Sequence, residues 1–219
     1  MNDPIIILLG PPGAGKGTQA RLLQEQLDLD YFGSGEILRK RKLIDDFTGR
    51  KIQEKMDAGE LLASPIMIDI WINTFEEIKK NNNFKGIIMD GSPRRLHEAE
   101  MLEQALDWYE WNSNKTPVFI NLSQQDAVDR LTKRRICVKC KKNIPYVGEY
   151  KTIKVCDVCG GELVKRADDE AEDIVERFKW YETDVLPTVD FYRKQGTLIE
   201  VNGDQSIEDV HKEIMEKLE

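Results

Sequence analysis

The chain contains 219 residues, of which 40% are hydrophobic and 33% are charged, a composition that is typical of one globular domain with insertions and that excludes a disordered or fibrous protein. Its formal net charge of −8 argues against a general binder of nucleic acid or of an anionic membrane. The longest aliphatic run, residues 5–9, is far shorter than the ~20 residues that cross a bilayer, and the first residues lack a secretion signal, so we expect a cytoplasmic protein without a membrane span.

Five short apolar runs alternate with longer amphipathic stretches, which is typical of an α/β protein with helices packed on a parallel sheet. Because these runs are continuously hydrophobic, they indicate strands that are buried on both faces. The predicted strands are residues 5–9, 31–32, 86–90, 118–122 and 198–201.

Two serines mark the starts of predicted helices. Ser123 and Ser206 are each followed three residues later by an aspartate, and a serine in this pattern can cap the first helical turn. Apolar residues at helical spacing from Ile174 to Val185 predict a further long helix. We expect Pro187 to end or kink it, because proline lacks the N–H that a helix interior requires.

A glycine-rich loop follows the first predicted strand and precedes a helical stretch. It reads GPPGAGKGT from Gly10 to Thr18. Glycines allow backbone N–H groups to converge on phosphate oxygens, the helix N-terminus adds partial positive charge, and the lysine adds a full charge. The sequence therefore predicts a phosphate-binding loop at Gly13, Ala14, Gly15, Lys16, Gly17 and Thr18. Gly17 stands where such loops usually carry Ser or Thr, which weakens the case for a direct Mg²⁺ ligand from this loop.

The string GPPGAGKGTQA at 10–20, together with GSGEILR at 33–39 and DGSPR at 90–94, resembles adenylate kinase and its nucleoside-monophosphate (NMP) kinase relatives over essentially the whole chain. The resemblance implies a P-loop kinase of the α/β class, with a parallel five-stranded sheet flanked by helices, a small helical NMP-binding insertion and a zinc-containing lid insertion. The implied core P-loop domain comprises residues 1–32, 65–132 and 170–219, the NMP-binding insertion 33–64 and the lid 133–169.

The resemblance also implies the reaction: reversible transfer of the terminal phosphoryl group of Mg²⁺·ATP to AMP, giving two ADP, by a monomeric enzyme. Such a transfer brings several phosphates together, so the site needs fixed positive groups and a metal ion. Guanidinium groups suit this task because they bind phosphate through two parallel hydrogen bonds. The implied catalytic residues are Lys16, Arg94, Arg134, Arg166, Asp168 and Arg177.

The same resemblance divides the binding residues between two nucleotides. On the ATP side, Arg130, Arg134 and Gln205 would join the phosphate-binding loop. On the AMP side the implied residues are Ser34, Arg39, Leu62, Gly91, Arg94, Glu98, Arg166 and Arg177. Asp90 ends an apolar strand, and we expect its carboxylate to hold waters on Mg²⁺. Asp169 would either orient arginines or favour a helix start through the helix dipole.

All four cysteines of the chain fall in a C-x2-C-x15-C-x2-C pattern formed by Cys137, Cys140, Cys156 and Cys159. This spacing predicts a tetrahedral zinc site with four thiolate ligands. Four protein ligands leave no open position for a substrate, so the zinc would be structural and would stabilise a lid too small for a core of its own. Disulfides and a rubredoxin-like iron site are the alternatives.

Two residues depart from the adenylate kinase pattern. Ser92 stands where the family usually has an aromatic residue, and Glu98 stands where a Gln recognises the AMP base. An ionised Glu only accepts hydrogen bonds, so it suits the two donors of guanine, N1–H and N2–H₂, better than the N1 lone pair of adenine. Either GMP is therefore the rival acceptor, or Glu98 is protonated or displaced. A Glu98 that points to solvent would leave AMP to backbone groups.

Two other classes of protein share part of these features. A regulatory GTPase would have the phosphate-binding loop, but its Asn-Lys-x-Asp motif is missing, since the nearest string, residues 114–117, has no Asp. A nucleic-acid-binding zinc ribbon would explain the cysteines and the basic segment from Arg130 to Lys142, but not the loop at 10–18. The sequence therefore favours ATP and AMP as partners over nucleic acid or a membrane.

Overall fold

The computed structural model describes residues 3–81, 83–166 and 169–218, and within those ranges no helix has both the length and the apolar character needed to cross a membrane. The strands are β1 (Ile5–Leu9), β2 (Asp30–Gly33), β3 (Ile87–Asp90), β4 (Lys115–Asn121), β5 (Arg135–Cys137), β6 (Asn143–Ile144), β7 (Leu163–Lys165) and β8 (Ile199–Asn202). The helices are α1 (Lys16–Leu27), α2 (Ser34–Arg41), α3 (Phe47–Asp57), α4 (Ser64–Lys79), α5 (Leu96–Trp108), α6 (Gln124–Lys133), α7 (Ala171–Trp180), α8 (Leu186–Lys194) and α9 (Ile207–Leu218). Short 3₁₀ turns occur at Asn112–Asn114 and Gly148–Lys151.

Five of the strands form one parallel sheet in the order β2-β3-β1-β4-β8. β1 lies in the middle and pairs with β3 and β4. Because the strands are parallel, their carboxyl ends lie along one edge of the sheet, where α/β proteins commonly bind ligands. That edge carries the loop after β1, Ser34 after β2 and Asp90 at the end of β3.

The sheet separates two hydrophobic cores, and β1 contributes to both. Ile5, Ile7 and Leu9 face a core that α4, α5 and α8 complete, whereas Ile6 and Leu8 face a core completed by α1, α6, α7 and α9. Successive side chains of a strand point to opposite faces, so a strand covered by helices on both faces must be apolar throughout. This requirement explains the uninterrupted IIILL sequence of β1.

The α/β fold and the five-stranded parallel sheet predicted from the sequence are confirmed. The largest difference among the strands is at β4, which begins at Lys115 rather than at 118. Continuous hydrophobicity, on which the prediction depends, starts only at Val118. Ser123 and Ser206 precede α6 and α9 as predicted, and each hydroxyl accepts a hydrogen bond from the N–H of the aspartate three residues later.

The long helix predicted across 174–185 is present in three parts. α7 ends at Trp180, Tyr181–Val185 form a π-helical turn, and α8 follows directly. Pro187 lies in the first turn of α8, directly after the π-helical turn, and a local change of helix type can accommodate a residue that has no backbone N–H. Of the two predicted effects of Pro187, an end or a kink, the end is wrong, because the chain remains helical beyond the proline.

Two segments lie outside the parallel sheet. Between β2 and α4, the helices α2 and α3 follow one another, and the side chain of Asp46 caps α3 by accepting a hydrogen bond from the N–H of Gly49 at 2.6 Å. Between α6 and α7, three short strands form an antiparallel sheet in the order β6-β5-β7. The predicted insertions, 33–64 and 133–169, contain these two segments, and their functional roles stay predictions.

Candidate active site

A cleft of about 860 Å³ opens at the carboxyl edge of the parallel sheet. Its walls include the loop after β1, the ends of β2 and β3, and residues of the small antiparallel sheet. The residues predicted from the sequence that line it are Gly13, Ala14, Gly15, Lys16, Gly17, Thr18, Ser34, Arg39, Asp90, Gly91, Arg94, Arg130, Arg134, Arg166, Arg177 and Gln205. Residues from most parts of the chain therefore meet in one space.

The glycine-rich loop passes against β4 and turns directly into α1. A Cβ atom on Gly10 would lie 2.5 Å from the carbonyl oxygen of Ile120, so only glycine allows this approach. Gly15, with a φ of +91°, is the residue immediately before α1, and side chains disfavour this backbone conformation. The unpaired N–H groups at the start of α1 therefore lie at the cleft, where an anion can accept hydrogen bonds from them.

The ammonium group of Lys16 is held inside this loop. Its Nζ donates hydrogen bonds to the carbonyl oxygens of Gly10 and Pro11, each at 2.8 Å. Burial lowers the pKa of Lys16 to about 7; Asp90 opposes this effect, and three arginines of the cleft add to it. Because burial and neighbouring cations both disfavour the charged form, the site favours an anionic ligand that would restore the charge.

Two arginines of the cleft share one buried carboxylate. Nε and Nη2 of Arg134 donate to the two carboxylate oxygens of Asp169 at 2.7 and 2.6 Å. Nη1 of Arg177 donates to Oδ1 of the same carboxylate at 3.0 Å. Asp169 is fully buried, and its carboxylate holds together an arginine at the end of α6 and one on α7. Of the two roles that the sequence leaves open for Asp169, the orientation of arginines is the one that this geometry supports.

Ser34, Gly91 and Arg94 meet where β2 and β3 end. The hydroxyl of Ser34 and the Nε of Arg94 both donate to the carbonyl oxygen of Gly91 at 2.8 Å. A Cβ atom on Gly91 would lie 2.7 Å from Ser34 Oγ, so this close arrangement requires glycine. The guanidinium of Arg94 lies 5.1 Å from the ring centre of Trp180, and burial lowers the pKa of Arg94 below its ordinary value.

A second, smaller pocket adjoins the cleft. Its lining includes Leu62 and Glu98, which the large cleft does not share. Arg94, Arg166 and Arg177 line both spaces. These three guanidinium groups therefore border both spaces.

Arg130 and Gln205 line the cleft near the junction of β8 and α9. Nη2 of Arg130 lies 3.7 Å from Oδ1 of Asp204, and burial lowers the pKa of Arg130. Nε2 of Gln205 donates to the carbonyl oxygen of Asn202 at 3.0 Å and to the Glu213 carboxylate at 2.7 Å. The amide nitrogen of Gln205 is therefore held by β8 and α9.

The four cysteines converge in the small antiparallel sheet. Their sulfur atoms all lie within 4.8 Å of one another, with Cys137 and Cys159 at 3.5 Å and Cys140 and Cys156 at 3.6 Å. Tetrahedral Zn–S bonds of ~2.3 Å would separate the sulfurs by roughly 3.8 Å, so the cluster fits a zinc ion. All four are free thiols. A Cβ atom on Gly161 would lie 2.8 Å from Cys137 Sγ, so glycine is needed to close the cluster.

Residues 8–197 match the family model described as Adenylate kinase. The chain belongs to the adenylate kinase family. Proteins named adenylate kinase that resemble it include those of Archaeoglobus fulgidus, which is 39% identical over 218 residues (98% of this chain and 97% of the relative), and of Clostridium novyi, 37% identical over 220 residues (98% of each). That of Caldanaerobacter subterraneus subsp. tengcongensis is 34% identical over 215 residues (97% of this chain and 95% of the relative). The predicted membership and the predicted class of enzyme, a phosphotransferase, are confirmed.

Glu98, where the adenylate kinase family usually has Gln, is only 2% exposed. Its Oε2 accepts hydrogen bonds from the backbone N–H groups of Arg94 and Arg95 at 2.8 and 3.3 Å. Its Oε1 accepts a hydrogen bond from Ser64 Oγ at 2.7 Å. Glu98 is the third residue of α5 and caps its first turn. The alternative in which Glu98 points to solvent is therefore wrong.

Ser92, the second departure from the adenylate kinase pattern, is buried beside an indole ring. Nε1 of Trp71 donates a hydrogen bond to Ser92 Oγ at 2.9 Å, and the Trp71 side chain is fully buried. The small side chain of Ser92 therefore lies directly against the indole of Trp71, which comes from α4.

Asp168, the remaining predicted catalytic residue, lies outside the described residues. Tyr31 and Trp180 also line the cleft, although the sequence does not predict either as a site residue. The Tyr31 hydroxyl donates to Oδ2 of Asp90 at 3.2 Å, and Nε1 of Trp180 donates to the carbonyl oxygen of Gly59 at 3.1 Å. Neither belongs to a motif; the one available signal was the place of Tyr31 near the carboxyl end of a parallel strand.

Proposed function

We propose that this protein transfers the terminal phosphoryl group of Mg²⁺·ATP to AMP, reversibly, and gives two ADP. The observation that carries the proposal is that Arg94, Arg166 and Arg177 line both the large cleft at the phosphate-binding loop and the smaller pocket next to it. Transfer between two nucleotides requires two adjoining binding spaces with positive charge between them. A protein that binds a single nucleotide has no need of the second space.

The phosphate-binding loop would hold the phosphates of ATP. Lys16 would exchange the carbonyl oxygens of Gly10 and Pro11 for phosphate oxygens, which are better partners for an ammonium group because they are charged. Arg134 and Arg177, already held by Asp169, would meet the transferring group without reorganisation, which is the main source of electrostatic catalysis. Each hydrogen bond between charged groups contributes about 1.5 to 3 kcal/mol.

The acceptor phosphate would bind at the ends of β2 and β3. Arg39 on α2 lines both spaces, and Arg94 is fixed by its hydrogen bond to Gly91. The attacking phosphate of AMP is already an anion, so the reaction needs no general base. The arginines instead offset the repulsion between the two groups of phosphates.

Asp90 is suited to the Mg²⁺ that accompanies ATP. Its carboxylate lies at the cleft, and carboxylate oxygens that hold metal-bound waters are the usual protein partners of Mg²⁺. A Cβ atom on Gly17 would lie 3.2 Å from Asp90 Oδ2. Because residue 17 is a glycine, it has no side chain that could bind the metal beside this carboxylate. The bound metal ion supplies positive charge to the phosphates of ATP.

We assign residues 33–64 to binding of the acceptor and residues 133–169 to a lid over ATP. In support, Leu62 lines the smaller pocket, and Tyr146 and Arg166 of the lid line the large cleft. A lid excludes water that would otherwise hydrolyse ATP. Zinc bound by four cysteines would give the lid a fixed shape and take no part in the reaction. A cytoplasmic location and a monomeric state remain predictions.

The environment of Glu98 favours AMP over GMP. A carboxylate has about four lone-pair positions, and three are used by Ser64, Arg94 and Arg95. The one remaining position is on Oε1, which also has Arg95 Nη1 at 3.7 Å, so it can accept at most a single further N–H, such as one of the adenine amino group. Guanine offers two donors side by side, and they would require both oxygens, of which Oε2 already accepts from two backbone N–H groups.

The experiment offers Mg²⁺·ATP together with AMP, GMP, CMP or UMP and separates the nucleotide products by anion exchange. We expect ADP to form from AMP, with much slower turnover of the other three monophosphates. Turnover of GMP with AMP inert would contradict the acceptor assignment, and transfer to none of the four would contradict the proposed function. Hydrolysis of a single nucleotide without an acceptor would instead favour a GTPase-like reaction.

The variant Glu98→Gln distinguishes the helix-capping role of residue 98 from a role in recognition of the acceptor base. Gln accepts hydrogen bonds from backbone N–H groups as Glu does and is equally suited to a capping box. We therefore expect AMP to remain the preferred acceptor in Glu98→Gln, with turnover within about threefold of the wild type. A change of acceptor from GMP to AMP in this variant would show that the carboxylate reads the base.

A further inference from the structure

The hydroxyl of Tyr31 contacts the carboxylate proposed to hold the waters of Mg²⁺. Tyr31 lies in β2, two residues before its end, and its Oη donates to Oδ2 of Asp90 at 3.2 Å. Both residues line the large cleft, beside Lys16 and Gly17. A carboxylate only accepts hydrogen bonds, so the phenol hydroxyl is the donor of this pair.

Two residues confine the ring of Tyr31. The guanidinium of Arg21 lies 3.7 Å from the ring centre, and Arg21 also forms an ion pair with Glu36 at the start of α2. Gly33 lies against the hydroxyl end of the ring, where a Cβ atom would be 2.4 Å from the hydroxyl oxygen and 2.5 Å from the ring. Any side chain at residue 33 would displace the ring, so this position and Arg21 together fix where the hydroxyl lies.

A fixed donor at Oδ2 restricts rotation of the Asp90 carboxylate. A free carboxylate adopts a broad range of angles about its last torsion, and each orientation aims its lone pairs differently. When Oδ2 accepts a hydrogen bond from Tyr31, the other lone pairs of the Asp90 carboxylate are held in one orientation relative to the cleft. Groups that orient a metal-binding side chain commonly set the affinity of the site for the metal.

We propose that Tyr31 is a positioning residue for Mg²⁺, and that it acts through Asp90 by holding the carboxylate in the orientation that accepts hydrogen bonds from metal-bound waters. The inference rests on the proposed use of Mg²⁺·ATP and adds to it a residue that belongs to no phosphate-binding motif. It also gives Arg21 and Gly33 a function, since they hold the ring.

The test measures the affinity for the non-transferable ATP analogue AMP-PNP by calorimetry, with and without Mg²⁺. Tyr31→Phe removes the hydroxyl and keeps the ring against Arg21. We expect this variant to bind metal-free AMP-PNP as the wild type does and to bind Mg²⁺·AMP-PNP about tenfold less tightly, at the lower end of what loss of an outer partner costs a metal site. Unchanged affinity for Mg²⁺·AMP-PNP in Tyr31→Phe would overturn the inference.

Tyr109→Phe is the matched control, because the Tyr109 hydroxyl also donates to a carboxylate, that of Glu76, at 2.6 Å and Tyr109 packs in the core. We expect no change in its Mg²⁺·AMP-PNP affinity. In an Asp90→Ala background, Tyr31→Phe should have no further effect, because residues that act through one another are not additive. A further tenfold loss in that background would show that Tyr31 does not act through Asp90.

If Tyr31→Phe does not fold, Arg21→Met provides a second test, since the Arg21 side chain is about half exposed (47%) and its replacement should not unfold the protein. Loss of the guanidinium over the ring should weaken Mg²⁺·AMP-PNP binding about twofold to fivefold, and no loss would overturn the inference. If the wild type transfers phosphoryl groups but Mg²⁺ does not increase its affinity for AMP-PNP, only the inference is wrong. If the wild type transfers none, the proposed function is wrong.

Discussion

Lys16 carries its charge in a place that disfavours the charged form. Its Nζ contacts two backbone carbonyl oxygens, and burial, with a further contribution from neighbouring arginines, lowers its pKa to about 7. A bound phosphate would raise the pKa of Lys16 again, because an anion next to an amine stabilises the protonated form. Nucleotide binding and protonation of Lys16 are therefore linked.

This linkage predicts proton uptake on nucleotide binding above neutral pH. At about pH 8 the Lys16 amine is mostly neutral in the free protein and charged in the complex, so binding should take up close to one proton. Near pH 6 both states are charged and the uptake should vanish. Calorimetry of AMP-PNP binding in buffers of different ionisation enthalpy measures the number of protons. Lys16→Arg, which is charged at both pH values, is the control, and equal uptake by wild type and variant would contradict the prediction.

Replacement of Lys16 by Met tests its role in the reaction. Removal of one fixed positive group from a preorganised site should lower turnover by roughly 10²- to 10³-fold. We expect the thermal midpoint to change little, because loss of a poorly solvated charge offsets loss of the two hydrogen bonds to the loop. Steady-state turnover with ATP and AMP, together with thermal unfolding, provides the two measurements. Wild-type turnover in Lys16→Met would remove Lys16 from the mechanism.

The difference between what could and could not be predicted is clear at Glu98. The sequence shows that Glu98 departs from the family pattern, and it raises a choice between AMP and GMP. It cannot show that Ser64, 34 residues earlier, donates a hydrogen bond to the carboxylate, or that Trp71 fills the space beside Ser92. The first contact joins α4 to the first turn of α5, and the second joins α4 to the segment between β3 and α5. Such contacts follow from tertiary packing rather than from local pattern.

Among the elements, the parallel strands were predictable because burial on both faces requires continuous apolar runs. The strands β5, β6 and β7 have only two or three residues each, which is too short for a periodic signal. The cysteine spacing instead predicts that the segment containing these strands is ordered, since a metal cluster can order a segment that lacks a core. The π-helical turn before Pro187 was not predictable, because apolar spacing alone does not distinguish a π-helical turn from an α-helical one.

The cysteine cluster should be essential to the stability of the proposed lid, residues 133–169. We expect metal analysis to find one zinc ion per chain. Cys156→Ala removes one of four ligands from a site that can contribute on the order of 10 kcal/mol to folding. Hydrogen exchange in the segment 135–165 should then become faster, while exchange in β1 and β3 should change little.

Val158→Ala is the matched control for Cys156→Ala, since Val158 lies in the same Cys-x-x-Cys turn and its side chain is 68% exposed. Its exchange rates should match those of the wild type. A protein purified without metal, with exchange in 135–165 unaffected by Cys156→Ala, would rule out the zinc site.

For the whole molecule, the formal net charge of −8 gives the wrong sign for the region where a nucleotide binds. The cleft is lined by Lys16 and by arginines from several elements, with few carboxylates among them. The net charge cannot place these groups in space; the phosphate-binding loop and the family resemblance predict a positive site, and the fold shows which side chains line it. The local field, rather than the total charge, should govern the approach of an anion, because distant charges are screened within about 8 Å at physiological salt.

The association rate for ATP should therefore fall as salt is added. An attractive field is screened by ions, whereas a repulsive field from the net negative charge would give a rate that rises with salt. Stopped-flow mixing with a fluorescent ATP analogue at about 20 mM and about 300 mM salt separates the two cases, because screening is several times stronger at the higher concentration. The matching fluorescent adenosine, which carries no phosphate, controls for effects of salt on the protein itself and should show no such dependence. A rate for the ATP analogue that increases with salt would show that the net charge of the molecule outweighs the arginines of the cleft.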